Sequence, residues 1–293
     1  MAAVSLPPPG YYYPQPPAVP ERPKRRPWLI ALVVVWALVL AGFAVWSVRN
    51  DPPTVPEQRD IAQALPVLQR AVGEMFAAAD TPDRVVTLGE TVFDRDCALT
   101  PVRDGVEATR DVTVRVRANE ASGALEAIAR TLPPAYAAAM RHNTVTDKYA
   151  LRADAGEFVG VESSVDADGT VFTLRAFTGC RPVAAGVDFE PVAPDATTTP
   201  AAFGAAVKAI RATDVIATSS EVACPAGSAT ARTITAGELT APAELGLALR
   251  GITGGAAVVQ AERHVWAWRD GDVSVVVSDS DGTAQITATT GCQ

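Results

Sequence analysis

Between Trp28 and Val48 the chain reads WLIALVVVWALVLAGFAVWSV, a run without a single charge. As a helix it would extend about 31 Å, matching a hydrocarbon core of roughly 30 Å. No face of the run is polar, so residues 28–48 are expected to cross a bilayer rather than pack in a soluble core. Trp28 and Trp46 lie near its ends, where indole rings favour the interface; Trp36 sits at mid-depth.

Past residue 51 the pattern shortens. Thr54 and Glu57 have capping-box spacing ahead of an apolar stripe of Ile61, Leu65, Leu68, Val72, Met75 and Phe76, which predicts a helix. Pro66 inside the stripe predicts a kink or a restart. Thr199-Pro200, followed by Phe203, Val207 and Ile210, predicts a second helix of the same kind. Val112, Val114 and Val116 alternate with Thr113 and Arg115, as in a strand with one wet face. A helix is expected from about Ala121 to Met140, bent or split at Pro133-Pro134. Its counterpart near Pro242 presents Leu245, Leu249 and Ile252. Asp168-Gly169, Asp270-Gly271 and Asp281-Gly282 predict hairpins closed by tight primed turns.

These elements recur in the same order. Asp168-Gly169-Thr170 runs on to Thr178-Gly179-Cys180, and Asp281-Gly282-Thr283 to Thr290-Gly291-Cys292, with one residue of difference that a β-bulge would absorb. Each copy reads as helix, two strands, helix, then two or three strands. Short turns between neighbouring strands favour antiparallel sheets. The expected fold is therefore α+β: a transmembrane helix, then two tandem repeats, each an antiparallel sheet with helices on one face and one internal disulfide. The expected boundaries are a tail at 1–27, the span at 28–48, repeat 1 at 51–181, a linker at 182–199 and repeat 2 at 200–293.

The cysteines follow from the repeat. Each copy holds two, and an even count on an exported domain fits disulfides. The repeat selects Cys97–Cys180 and Cys224–Cys292. No CxxC spacing occurs, so neither zinc nor thiol redox chemistry is expected, and no cofactor.

Charge sets the orientation. Arg22, Lys24, Arg25 and Arg26 precede the span and Arg49 alone follows closely, so the N-terminus is expected in the cytoplasm and the bulk outside. The first 27 residues carry +3, which leaves −11 on the rest of a chain whose formal charge is −8. Such a domain has no electrostatic basis for binding nucleic acid. The tail holds nine of the 23 prolines and Tyr11-Tyr12-Tyr13, a composition that cannot bury a core. Its stretch from Pro17 to Arg22 has the shape of a PxxP ligand, but a tail so rich in proline produces one by chance. The 27-residue lead and the long apolar run favour an uncleaved anchor over a cleaved signal peptide. This proline/tyrosine tail, basic collar and single span resembles the layout of exported envelope proteins of actinobacteria. The resemblance covers only the first fifty residues.

Chemistry is sparse. His142 and His264 are the only histidines, and no GxSxG, SxxK, HExxH or P-loop occurs. Ser163 and Ser164 beside Asp166 lack a base. The pairs Asp166/Asp168 and Asp279/Asp281 invite a calcium reading, but the twelfth loop position is Arg175 or Ala288, so hairpin turns are expected instead. Trp266 and Trp268 point to one face of a strand; core packing is the plain reading, and a platform for sugar rings or a partner protein the sharper one. The function expected is a non-enzymatic, membrane-anchored extracytoplasmic module for binding, sensing or assembly in the cell envelope. Its partners would be the bilayer through residues 28–48 and an envelope protein or glycan, with a cleft between the copies as a natural site. The alternative is an envelope hydrolase using carboxylates such as Glu157, Glu162 or Asp166 on wall polymer or lipid.

Overall fold

The computed structural model describes residues 27–50, 59–100, 103–184, 186, 189, 196, 198–225, 227 and 229–292. The tail, its PxxP stretch and the Thr54/Glu57 pair lie outside the described residues. The chain divides into two compact units, Met1–Pro52 and Pro53–Gln293. In the first, α1 (Pro27–Asn50) is long and apolar enough to cross a bilayer or to act as an export signal.

The second unit is mixed α/β with two six-stranded antiparallel sheets. Helix α2 (Ile61–Ala79) opens it. Asp60 caps α2 by accepting the Gln63 N–H at 2.9 Å, and the helix runs unbroken through Pro66. Then come β1 (Val85–Asp94), a small ribbon of β2 (Ala98–Thr100) and β3 (Arg103–Asp104), and β4 (Glu107–Arg115). Helix α3 spans only Ala121–Thr131. The two prolines end it: Leu132, ahead of Pro133, is driven out of helical geometry, and Pro133-Pro134 supplies no N–H donors. A 3-10 turn at Pro134–Tyr136 leads into four strands rather than two or three: β5 (Ala139–Asn143), β6 (Lys148–Asp154), β7 (Gly160–Asp166) and β8 (Val171–Phe177).

The remaining elements are α4 (Ala201–Ile210), β9 (Thr218–Ala223), β10 (Thr230–Thr240), α5 (Leu245–Leu249), β11 (Ala257–Ala261), β12 (Val265–Asp270), β13 (Val273–Ser280) and β14 (Thr283–Thr290). The first sheet has strand order β1-β4-β8-β7-β6-β5, and the second, read from its other end, β9-β10-β14-β13-β12-β11.

Two main cores result. In the first, Leu68, Val72, Met75 and Phe76 of α2 and Leu125 and Ile128 of α3 join Val112, Val114 and Leu174 of the sheet. In the second, Phe203, Ile210, Leu245 and Leu249 join Ile234, Trp268, Val275 and Ile286. Ile252 falls beyond the end of α5 and is 37% exposed.

The sheets meet edge to face. Strand β1 is an edge strand, and its outward backbone donors are met by hydroxyls of the second sheet: Val86 N–H to Ser274 Oγ at 3.0 Å and Leu88 N–H to Thr233 Oγ1 at 3.1 Å. An open strand edge invites pairing with other chains, and here it is closed within the chain. Val85 packs against Val259, Ala267 and Val276 of the same sheet face. Gly73 lets α2 press on β9, since a Cβ there would lie 2.3 Å from the Ala223 carbonyl oxygen.

Candidate functional site: the open face of the first sheet

Trp266 and Trp268 are not an exposed platform. Trp268 is 1% exposed in the second core, and Trp266 is half-buried with its ring over Gly246 of α5. The shared face of β12 is the one that packs with α4 and α5, so core packing claims both rings. All four cysteines are bonded, as Cys97–Cys180 and Cys224–Cys292.

The boundary between the sheets is packed rather than open. Arg110, only 4% exposed, donates to the Gly89 carbonyl, Gln69 Oε1, Ser220 Oγ and the Glu221 carbonyl, tying α2 and both sheets together. Burial lowers its pKa to about 10. Arg115 donates to Gln260 Oε1 at 2.8 Å, and Gln260 in turn to Thr170 Oγ1 at 2.8 Å. Arg269 meets Asp80 across the same boundary. Sequence reasoning missed these arginines. One signal was present: Arg110 occupies an inward position in the alternating series Ala108, Arg110, Val112, Val114.

With one face of the second sheet covered by β1 and α2, the corresponding face of the first sheet stands open. The pairing registers run Asp111–Arg175–Glu162–Arg152 across β4, β8, β7 and β6, a row of alternating charge. Asp111 binds Arg175 through two hydrogen bonds of 3.0 and 3.1 Å, which raise the arginine pKa further. The equivalent row on the second sheet is Thr235–Thr287–Val276–Ala267, neutral throughout. Burial against β1 accounts for the neutral row and solvent for the charged one.

The open face also holds two cavities. One, of about 520 Å³, is lined by Arg152, Glu162, Ser163, Ser164, Thr173 and Arg175, among others. It lies where ladder pairing between β7 and β8 lapses. Pairing between these strands is confined to Gly160↔Phe177, Val161↔Ala176 and Glu162↔Arg175, so residues 163–166 and 171–174 face each other unpaired. The matching β13–β14 hairpin is zipped from Val273↔Thr290 to Ser280↔Thr283.

The turns explain the difference. Asp281 and Gly282 both have positive φ, as a primed turn requires, and its twist suits paired strands. In the first sheet Asp166 accepts the Gly169 N–H at 2.9 Å, so Ala167 and Asp168 are central, and neither has positive φ. A turn of that unprimed kind splays the strands it joins. The one-residue difference between the two Asp-Gly-Thr to Thr-Gly-Cys stretches is thus taken up in the turn, not in a bulge, since β8 pairs with β4 without a register shift. A second cavity of about 540 Å³, lined by Arg141, His142, Asn143 and Lys148 among others, continues the open face toward β5.

No catalytic constellation gathers here among the described residues. His142 Nε2 lies 2.8 Å from Asp147 Oδ1 and stacks on Tyr149, and His264 Nδ1 lies 2.8 Å from Asp279 Oδ1. Neither histidine has a described hydrogen bond to a serine, threonine or cysteine. Asp166 pairs with Lys148 at 3.4 Å and Glu157 with Arg59. No group of three or more potential metal ligands occurs among the described residues.

No protein-family model matches the chain, and no curated protein matches it. A solved structure, a DUF4853 family protein from Actinomyces odontolyticus, aligns with 50% of this chain and 89% of its own, at 15% identity and a TM-score of 0.33.

Proposed function

We propose that this is a membrane-anchored extracytoplasmic module of the cell envelope that binds, senses or assembles without catalysis, and that the open face of the first sheet is its binding surface. One observation carries the reading. The first sheet presents a charged face with both cavities, while the same face of the second sheet is consumed in holding the two together. The second lobe thus acts as a scaffold and the first as the working surface.

The lobes are read as tandem copies, 51–181 and 200–293, joined by 182–199. Their matching strand orders and the matching places of their disulfides support this. Two disulfides favour an oxidising compartment for the domain, and the basic residues before α1 favour a cytoplasmic N-terminus. The bilayer through 28–48 and an envelope protein or glycan are the partners proposed. The hydrolase alternative needs two cooperating carboxylates. At the cavity lined by Glu162, Asp111 is held by Arg175, which leaves Glu162 without a partner carboxylate in the lining.

The test is a benzophenone amino acid placed at Ser164 or Arg152 of the full chain in native membranes, with Gln285 as the exposed control position. Discrete adducts from the two face positions and none from the control support the reading. Adducts no stronger than the control, or turnover of wall polymer by the purified chain, overturn it.

A further inference from the structure

The unzipped mouth of the β7–β8 hairpin narrows what that surface takes. We infer that it receives an extended peptide segment carrying a carboxylate, which adds as a strand between β7 and β8; the inference rests on reading this face as a binding surface. Three observations point there. First, strands 163–166 and 171–174 present facing edges that do not pair with each other, beside a cavity of about 520 Å³. Backbone donors and acceptors at such edges are satisfied by water or by another strand, and an inserted chain would pair with both. Second, Ser163, one of the residues at this cavity, has a buried Oγ on the core-facing side of β7 with no hydrogen-bond partner. Third, of the two arginines in the charged lining, Arg175 is already held by Asp111, and Arg152 stands across the pairing register from Glu162. Arg152 makes no ion pair among the described residues, so it is the cation available to an incoming carboxylate.

Insertion requires the mouth to widen until β7 and β8 stand about 9.5 Å apart, two strand spacings. The unprimed turn at Ala167-Asp168 favours that motion, because no tight hairpin geometry holds the mouth shut. The zipped β13–β14 hairpin offers no such opening.

The probe is a fluorescent eight-residue peptide of alternating valine and threonine with one central aspartate, titrated onto the full chain in nanodiscs. Saturable binding is expected, weakened about tenfold by Arg152→Glu or by lysine in place of the aspartate. A peptide with prolines at alternate positions, which lacks the ladder donors, should not bind. A disulfide staple from Ser164→Cys with Thr173→Cys should zip the mouth and abolish binding while leaving charge unchanged. Failure of the aspartate peptide to bind, or equal binding to the stapled and unstapled chains, overturns strand insertion. If adducts at Ser164 nonetheless form in membranes, the open-face reading stands without it; if they do not, both fall.

Discussion

Arg269 of β12 and Asp80 at the end of α2 meet at 2.6 Å across the boundary between the sheets, with side chains 9% and 11% exposed. The carboxylate also lies against Gly291, where a Cβ would sit 2.3 Å from Asp80 Oδ2. The C-terminal cap of α2 is thus fastened beside the Cys224–Cys292 disulfide, and the open face of the first sheet is held at a fixed place on its scaffold.

Removing one member of this pair strands the other in a dry site. Arg269→Met or Asp80→Asn should each cost about 3–5 kcal/mol, and the double variant less than the sum. Denaturant unfolding of the four-member cycle measures this; additive losses would show that the two charges do not sense each other.

Two helical glycines should respond to alanine with opposite signs. Gly204 on α4 has nothing within 4 Å of a Cβ, so Gly204→Ala should stabilise by about 0.5–1 kcal/mol. Gly73→Ala drives a methyl into the Ala223 carbonyl and should destabilise by about 1–3 kcal/mol despite the better helix propensity. Thermal midpoints of the two variants decide the matter.

The disulfides close spans of 83 and 68 residues. Loop-closure entropy assigns about 4–5 kcal/mol to each. Replacing both cysteines of one pair by alanine should lower the denaturant midpoint with little change in secondary structure at low temperature, as circular dichroism would report. Losses well under 1 kcal/mol would mean that the packed boundary alone fixes these ends.

Glu74 on α2 supplies a pH signature. Burial raises its pKa above 4.5, with Arg70 opposing, so the fold disfavours its charged form. The penalty is complete once the pH exceeds the folded-state value and absent below 4.5, where both folded and unfolded chains hold the proton. Glu74→Gln should therefore raise the melting temperature at pH 7 and leave it unchanged near pH 3.5. A shift of the same size at both values would locate the effect elsewhere.

Much of the fold was written in local patterns. The TGC motifs and their spacing gave the disulfide partners, and Asp281-Gly282 announced a primed turn that the structure contains. Asp168-Gly169 carried the same signal but sits one step late in its turn, because Asp166 rather than Ala167 accepts the closing hydrogen bond. No local pattern distinguishes those outcomes. The working surface was less legible still. Asp111, Arg175, Glu162 and Arg152 are scattered over 65 positions and form a row only once four strands are in register. Trp266 and Trp268 drew attention because aromatic pairs serve both cores and binding sites, and only tertiary packing separates the two uses.

Residue-resolved amide hydrogen exchange on the full chain tests the central claim most directly. The account predicts that amides within 163–166 and 171–174 that face the gap exchange far faster than the matching amides of β13–β14, and slow when the aspartate peptide is added. Equal protection of the two hairpins in the free protein would contradict it, because the first sheet would then have no open mouth to fill.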